Sequence, residues 1–248
     1  MKARQHKLAA KDALKGNWGI AIGVFFIYFI LSGIVGAIPD DYYWLYVLGF
    51  VFFSAPLSVG YSWFYLELKR GTNPNLEKLF SGFKDNYVRN LLSSVLVTIF
   101  TFLWSLLLII PGIIKGLSYS MTFYILRDNP QMSALEAITE SRRLMDGKKK
   151  NLFFLCLSFI GWYLIPVAFF IVATISLIIG FIDGVANPFG MVMLGIGSLI
   201  VGGLVMFGVS IYVTPYYMTS IAAFYDNFVK PTIQESKQEV EELNPPVE

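Results

Sequence analysis

The chain has 248 residues, 56% of them hydrophobic, 17% aromatic and only 15% charged, with mean hydropathy +0.61 and formal net charge +2. A soluble chain carries about 25% charged residues, so an ordinary water-soluble domain is excluded, and no nucleic-acid partner is expected. The single Cys156 lies in an apolar run, which excludes an intrachain disulfide, and the single His6 lies in a basic segment, which argues against a His-based metal site.

Residues 1–18 carry Lys2, Arg4, Lys7, Lys11 and Lys15. Arg4, Lys7, Lys11 and Lys15 recur at helical spacing and predict a short basic helix. Residues 19–38 are uncharged and match the roughly 20 apolar residues that cross a hydrocarbon core of about 30 Å. They lack an A-x-A-type cleavage site, so a retained span is expected rather than a cleaved signal peptide. Pro39-Asp40-Asp41 makes a turn, and a second span follows over 43–66. In the 67–89 loop, Leu76, Leu79, Phe80, Phe83 and Tyr87 form an apolar stripe opposite Glu77, Lys78, Ser81 and Lys84.

Residues 90–126 are interrupted only by Lys115. One straight helix of that length would measure about 55 Å, far more than a bilayer core. Pro111-Gly112 is a breaker in its middle. A hairpin of spans 91–110 and 111–127 is therefore expected, with Lys115 at its outer end reaching toward the headgroups. Ser133-x-x-Glu136 reads as a capping box that opens a helix with Ala134, Ile138 and Met145 on its apolar stripe. Lys148-Lys149-Lys150 follows as a basic patch. Residues 151–225 contain one charge, Asp183, and two spans are placed at about 152–175 and 205–226, a third crossing being the alternative. Residues 229–248 are polar and acidic (Glu235, Glu239, Glu241, Glu242, Glu248) and predict a disordered cytoplasmic tail.

The basic residues test this topology. With 90–126 as a hairpin, the N-terminal segment, both loops and Lys230 and Lys237 fall on one side, which the positive-inside rule makes cytoplasmic. The outer side then holds Asp40, Asp41, Lys115 and Asp183. A threefold repeat is superimposed on this plan. Gly16-Asn17-Trp18, Gly82 to Asn86-Tyr87 and Gly147 to Asn151-Leu152 precede the three hairpins. Each second arm runs from a proline to an aromatic pair: Pro56 to Phe64-Tyr65, Pro111 to Phe123-Tyr124, and Pro215 to Phe224-Tyr225. The expected fold is an all-α membrane protein. Its single domain, residues 1–228, holds six transmembrane helices as three hairpin pseudo-repeats, each preceded by a cytoplasmic amphipathic interfacial helix.

This repeat, with Leu14-Lys15-Gly16-Asn17-Trp18, Asp128-Asn129-Pro130, Ser141-Arg142-Arg143-Leu144-Met145-x-Gly147 and the Pro215-Tyr216…Ala223-Phe224-Tyr225 ending, resembles a bacterial family of uncharacterised integral membrane proteins, domain of unknown function 975. The resemblance covers about residues 1–228. It extends more distantly to the membrane domain fused to some glycerophosphodiester phosphodiesterases, whose hydrolase domain has no counterpart here. The resemblance implies a bacterial cell membrane and six spans, and supplies no catalytic residues.

No charged residue falls in the middle of a predicted span, which argues against an ion-coupled carrier. Lys115 and Asp183 read as solvated loop charges rather than a pair across hairpins. The glycines from Gly190 to Gly208 read as close helix packing, the prolines as kinks, and Trp18, Tyr42, Tyr43, Trp44, Trp63, Tyr216 and Tyr217 as an aromatic belt. Asp128 and Asp226 read as helix ends, and an intramembrane enzyme would need them to meet a third ligand at the inner face. P-loop, G-x-S-x-G and H-E-x-x-H motifs are absent. No enzyme activity, catalytic residue, cofactor or metal is expected. The expected function is a non-enzymatic envelope or membrane-homeostasis component that engages anionic phospholipid through Arg4, Lys7, Lys11, Lys15, Lys148, Lys149 and Lys150. The alternative is a transporter or channel for a small or lipidic solute.

Overall fold

Apolar runs of this length must satisfy their backbone polar groups internally, and helices do so. The computed structural model describes residues 3–72, 75–182 and 187–231, and all regular structure among them is helical. In chain order the helices are α1 (Ala3–Leu14), α2 (Trp18–Gly36), α3 (Tyr43–Gly49), α4 (Ala55–Arg70), α5 (Ser81–Lys84), α6 (Tyr87–Leu107), α7 (Ile109–Tyr119), α8 (Thr122–Asp128), α9 (Ala134–Leu144), α10 (Lys149–Ile160), α11 (Leu164–Gly180) and α12 (Pro188–Phe224). Short 3-10 and π turns extend several of them. Six stretches are long and apolar enough to cross a membrane: Trp18–Gly36, Asp40–Arg70, Tyr87–Leu107, Ile109–Asp128, Lys149–Gly180 and Pro188–Val229. We read the chain as a membrane protein on that basis.

Two boundaries differ from the sequence reading. The second hairpin turns at Leu108, whose extended backbone separates α6 from α7, and not at Pro111. Pro111 instead occupies the first turn of α7, where its missing N–H has no helical partner to lose. The last span is longer than expected, because α12 runs unbroken from Pro188 through Pro215. Of the expected acidic tail, Val229 closes a π turn and Lys230 and Pro231 remain helical. The rest of the tail, with Lys237, lies outside the described residues, as do Lys2 and Asp183.

The chain divides into two units, one of residues 1–155 and 215–248 and the other of residues 156–214. In the first, the core lies around α4. Leu57, Phe64, Tyr65 and Leu68 pack with Leu14 of α1, Ala21 and Val24 of α2, and Leu79. The Tyr65 hydroxyl donates to the Ala21 carbonyl at 3.0 Å, and the Trp63 indole N–H donates to the Phe123 carbonyl at 2.7 Å. Gly60 and Gly82 allow backbone-to-backbone contact: a Cβ on Gly60 would collide with the Leu79 carbonyl, and one on Gly82 with the Pro56 carbonyl. Pro56 offers no N–H to the Phe52 carbonyl four residues back, and the π turn Phe50–Ser54 lies there. The Tyr87 hydroxyl donates to that carbonyl at 2.9 Å.

In the second unit α11 lies against the first part of α12. A Cβ on Gly195 would press on Leu177, and one on Gly202 on Phe169. These two glycines serve close approach of helices, as small residues do in membranes.

Candidate functional site

The basic helices dock on protein through one face and turn their cations away. Helix α1 buries His6, Ala10 and Leu14, whereas Arg4, Lys11 and Lys15 are exposed. Lys7 is half-buried, its Nζ 6.0 Å from the centre of the Tyr216 ring. Helix α9 buries Ala134, Ala137, Ile138, Ser141 and Leu144, and Arg142 and Arg143 face out. Its capping box is present: the Ser133 hydroxyl accepts from Glu136 N–H at 3.3 Å, and the Ser133 N–H donates to the Glu136 carboxylate at 2.8 Å. That backbone N–H holds the Glu136 carboxyl below its ordinary pKa. Lys148 lies over the Phe228 ring at 5.3 Å, Lys149 sits 3.5 Å from Asp146, and Lys150 is exposed. The apolar stripes of α1 and α9 are thus spent on the protein itself. Attachment by burying those stripes in lipid is not available to them; their charges are.

An ionic junction joins the ends of three long helices. Arg70, at the end of α4, donates from Nη1 and Nη2 to both carboxylate oxygens of Asp128 at 2.7 and 2.8 Å. Its Nε donates to Asp226 at 2.9 Å. The Tyr225 hydroxyl donates to Asp128 at 3.1 Å, and Lys230 Nζ lies 3.4 Å from the same carboxylate. Beside it, Glu67 accepts from Arg127 and pairs with Lys78 at 3.2 Å, and Arg127 also reaches Asp85 at 3.0 Å. The Arg127 guanidinium stands 5.0 Å from the Trp63 ring centre, and Tyr124 stacks on Tyr225 at 5.3 Å. Each helix end contributes both signs: Glu67 and Arg70, Arg127 and Asp128, Asp226 and Lys230. Every pair among these six joins different ends, so the network holds the ends in mutual register.

Asp128 and Asp226 therefore do meet, and the group between them is a guanidinium. Among the described residues no three of His, Cys, Asp and Glu come together as metal ligands. A fork of five N–H donors bridging two carboxylates is a structural neutralisation.

Lys115 is placed differently from the sequence reading. Because the hairpin turns at Leu108, Lys115 sits about 9 Å of helix away from the tip at 1.5 Å per residue. It shares a cavity of about 510 Å³ with Ser118, Thr139, Arg142, Arg143, Asp146 and Lys149. It thus belongs with the basic residues of α9 and α10 rather than with Asp40 and Asp41. Its Nζ lies 4.4 Å from the centre of the Trp104 ring.

The sequence reading passed over Arg70 and Glu67. The available signal was position: like Asp128 and Asp226, both follow an aromatic pair at the end of a second arm. A family described as protein of unknown function (DUF975) matches residues 1–115 and 105–231. No curated protein and no solved structure matches the chain.

Proposed function

The chain belongs to the DUF975 family of proteins of unknown function, and we propose that it works as a non-enzymatic, multi-pass component of the bacterial cell membrane that engages anionic phospholipid. One observation carries the proposal. Helices α1 and α9 are fixed by their buried faces while Arg4, Lys11, Arg142 and, at the start of α10, Lys150 stay exposed; Lys15 and Arg143 are exposed as well but already paired with Asp12 at 2.8 Å and Glu140 at 2.7 Å. Fixed cations beside apolar spans act on anionic headgroups at about 1 kcal/mol each. Lys7, Lys148 and Lys149 add charge at shorter reach, being partly engaged with Tyr216, Phe228 and Asp146.

The proposed architecture is three hairpin pseudo-repeats, each entered from a short amphipathic helix on the cytoplasmic side, with both chain termini on that side. Three features support it. Left-handed residues stand just before α2, α6 and α10, namely Gly16, Asn86 and Gly147. The three second-arm ends share one ionic junction. The grouping of Lys115 with Arg142 and Lys149 sharpens the charge asymmetry, which favours the basic side as cytoplasmic.

The test is lipid selectivity at the protein boundary. The protein is reconstituted with spin-labelled phosphatidylglycerol or spin-labelled phosphatidylcholine, and the motionally restricted fraction is measured. Enrichment of the anionic lipid, reduced when Arg4, Lys7, Lys11, Lys15, Lys148, Lys149 and Lys150 are replaced by Gln, supports the proposal. Equal restricted fractions for the two lipids in the unaltered protein overturn it.

A further inference from the structure

We propose that the cavity between α7, α9 and the start of α10 is a specific site for a phosphate-bearing anion, and that its occupant is the headgroup of an anionic phospholipid. The inference rests on the lipid reading above and narrows it to one place and one stoichiometry. Lys115, Arg142, Arg143 and Lys149 converge there from three elements. Arg143 is neutralised by Glu140 through two contacts of 2.7 and 2.8 Å, and Asp146 stands 3.5 Å from Lys149. Lys115 and Arg142 form no ion pair among the described residues. Two positive charges are left facing one cavity of about 510 Å³, within the size range of small-ligand sites.

The walls are fixed before any ligand arrives. The buried Ser141 hydroxyl donates to the Ser118 carbonyl at 2.8 Å and accepts the Met121 N–H at 3.2 Å, which locks α9 onto the α7–α8 junction. Such a site loses little on ordering. Lys115 lies within an apolar candidate span, where an ionisable side chain without a counter-ion marks function; the Trp104 ring at 4.4 Å leaves its charge unneutralised. The lipid origin of the phosphate follows from its neighbours. Ile113 and Ile114 next to Lys115 are 47% and 45% exposed, and Ile110 one turn earlier is 71% exposed. A phosphate seated between Lys115 and Arg142 would leave acyl chains against that apolar face, whereas free phosphate would gain nothing from it.

The test titrates the full chain, purified in uncharged detergent, with phosphatidylglycerol and, separately, with inorganic phosphate, and reads 1:1 adducts by native mass spectrometry. A saturable single-lipid adduct is expected. Its Kd should rise roughly fivefold for each charge removed, about twenty-five-fold in K115Q/R142Q, and should return to near the parent value in the charge-preserving K115R/R142K. An unchanged melting temperature in the detergent confirms that K115Q/R142Q is folded; if it is not, K115Q alone supplies the measurement. Phosphate competing at concentrations comparable to the lipid would support the site and assign it a soluble phosphate ligand. Absence of a saturable adduct, or an adduct indifferent to K115Q/R142Q, overturns the inference. If the spin-label preference persists in that case, the general lipid reading stands without this site; if both vanish, both fall.

Discussion

Replacing Arg70 with Met asks whether the ionic junction holds the helix ends together. Arg70 keeps only 21% of its side chain exposed, and Asp128 and Asp226 keep 16% and 18%. Removing one member of a mostly buried ionic set costs about 3–5 kcal/mol, because the partner charges stay behind without a counter-ion. Here two carboxylates would be stranded side by side. Lys230 at 3.4 Å and the Tyr225 hydroxyl still serve Asp128, so the greater loss falls on Asp226. With some solvent reaching both carboxylates, the lower end of the range applies, about 3 kcal/mol. Arg70→Lys retains the charge but not the fork that spans two acids, and about half the loss is expected, roughly 1–2 kcal/mol. Arg70→Met combined with Asp128→Asn and Asp226→Asn removes the stranded charge and recovers most of the stability. The assay is equilibrium unfolding in mixed micelles followed by tryptophan fluorescence. An Arg70→Met protein within about 0.5 kcal/mol of the parent, a surface-substitution effect, would refute the reasoning; so would failure of the triple variant to recover.

Gly60→Ala drives a methyl group into the Leu79 carbonyl and should cost about 2 kcal/mol or more by overpacking, measured in the same unfolding assay; a neutral outcome would contradict the backbone contact. Tyr87→Phe leaves the Phe52 carbonyl without the hydroxyl that serves it and should cost about 1 kcal/mol, with no compensating gain from the retained ring. His6 is 1% exposed, packed 5.0 Å from Phe224 and 6.1 Å from Phe228, and burial holds its pKa below 6.5, the Ala223 backbone opposing this in part. Its neutral form is the one the fold prefers, so its contribution is complete above about pH 6.5 and is lost as pH falls toward and below the depressed value. Melting curves between pH 8 and pH 5 should show a smaller acid-dependent loss for His6→Phe than for the parent.

The long uncharged runs carried most of the helical plan, because a membrane core tolerates so few alternatives. The Ser133–Glu136 capping box was equally legible, since its partners are three residues apart. The hairpin turn was misplaced by three residues because Pro111-Gly112 looks like a breaker, yet a proline is welcome in the first turn of a helix. That shift alone moved Lys115 from the expected outer tip to the basic cavity. The docking faces of α1 and α9 look the same in sequence whether they cover lipid or protein, and only tertiary contacts such as Leu14 with Leu57 and Phe64 distinguish the two. The Arg70 junction joins residues 58 and 156 positions apart, a separation no local pattern reports.

The most direct test of the account is stability against lipid charge. The protein is placed in nanodiscs whose phosphatidylglycerol fraction is raised stepwise in phosphatidylcholine, and its melting temperature is followed at low and high salt. The account predicts a rise with anionic lipid that salt suppresses and that is lost when Arg4, Lys7, Lys11, Lys15, Lys148, Lys149 and Lys150 become Gln. A melting temperature that ignores the anionic fraction in the unaltered protein would contradict it.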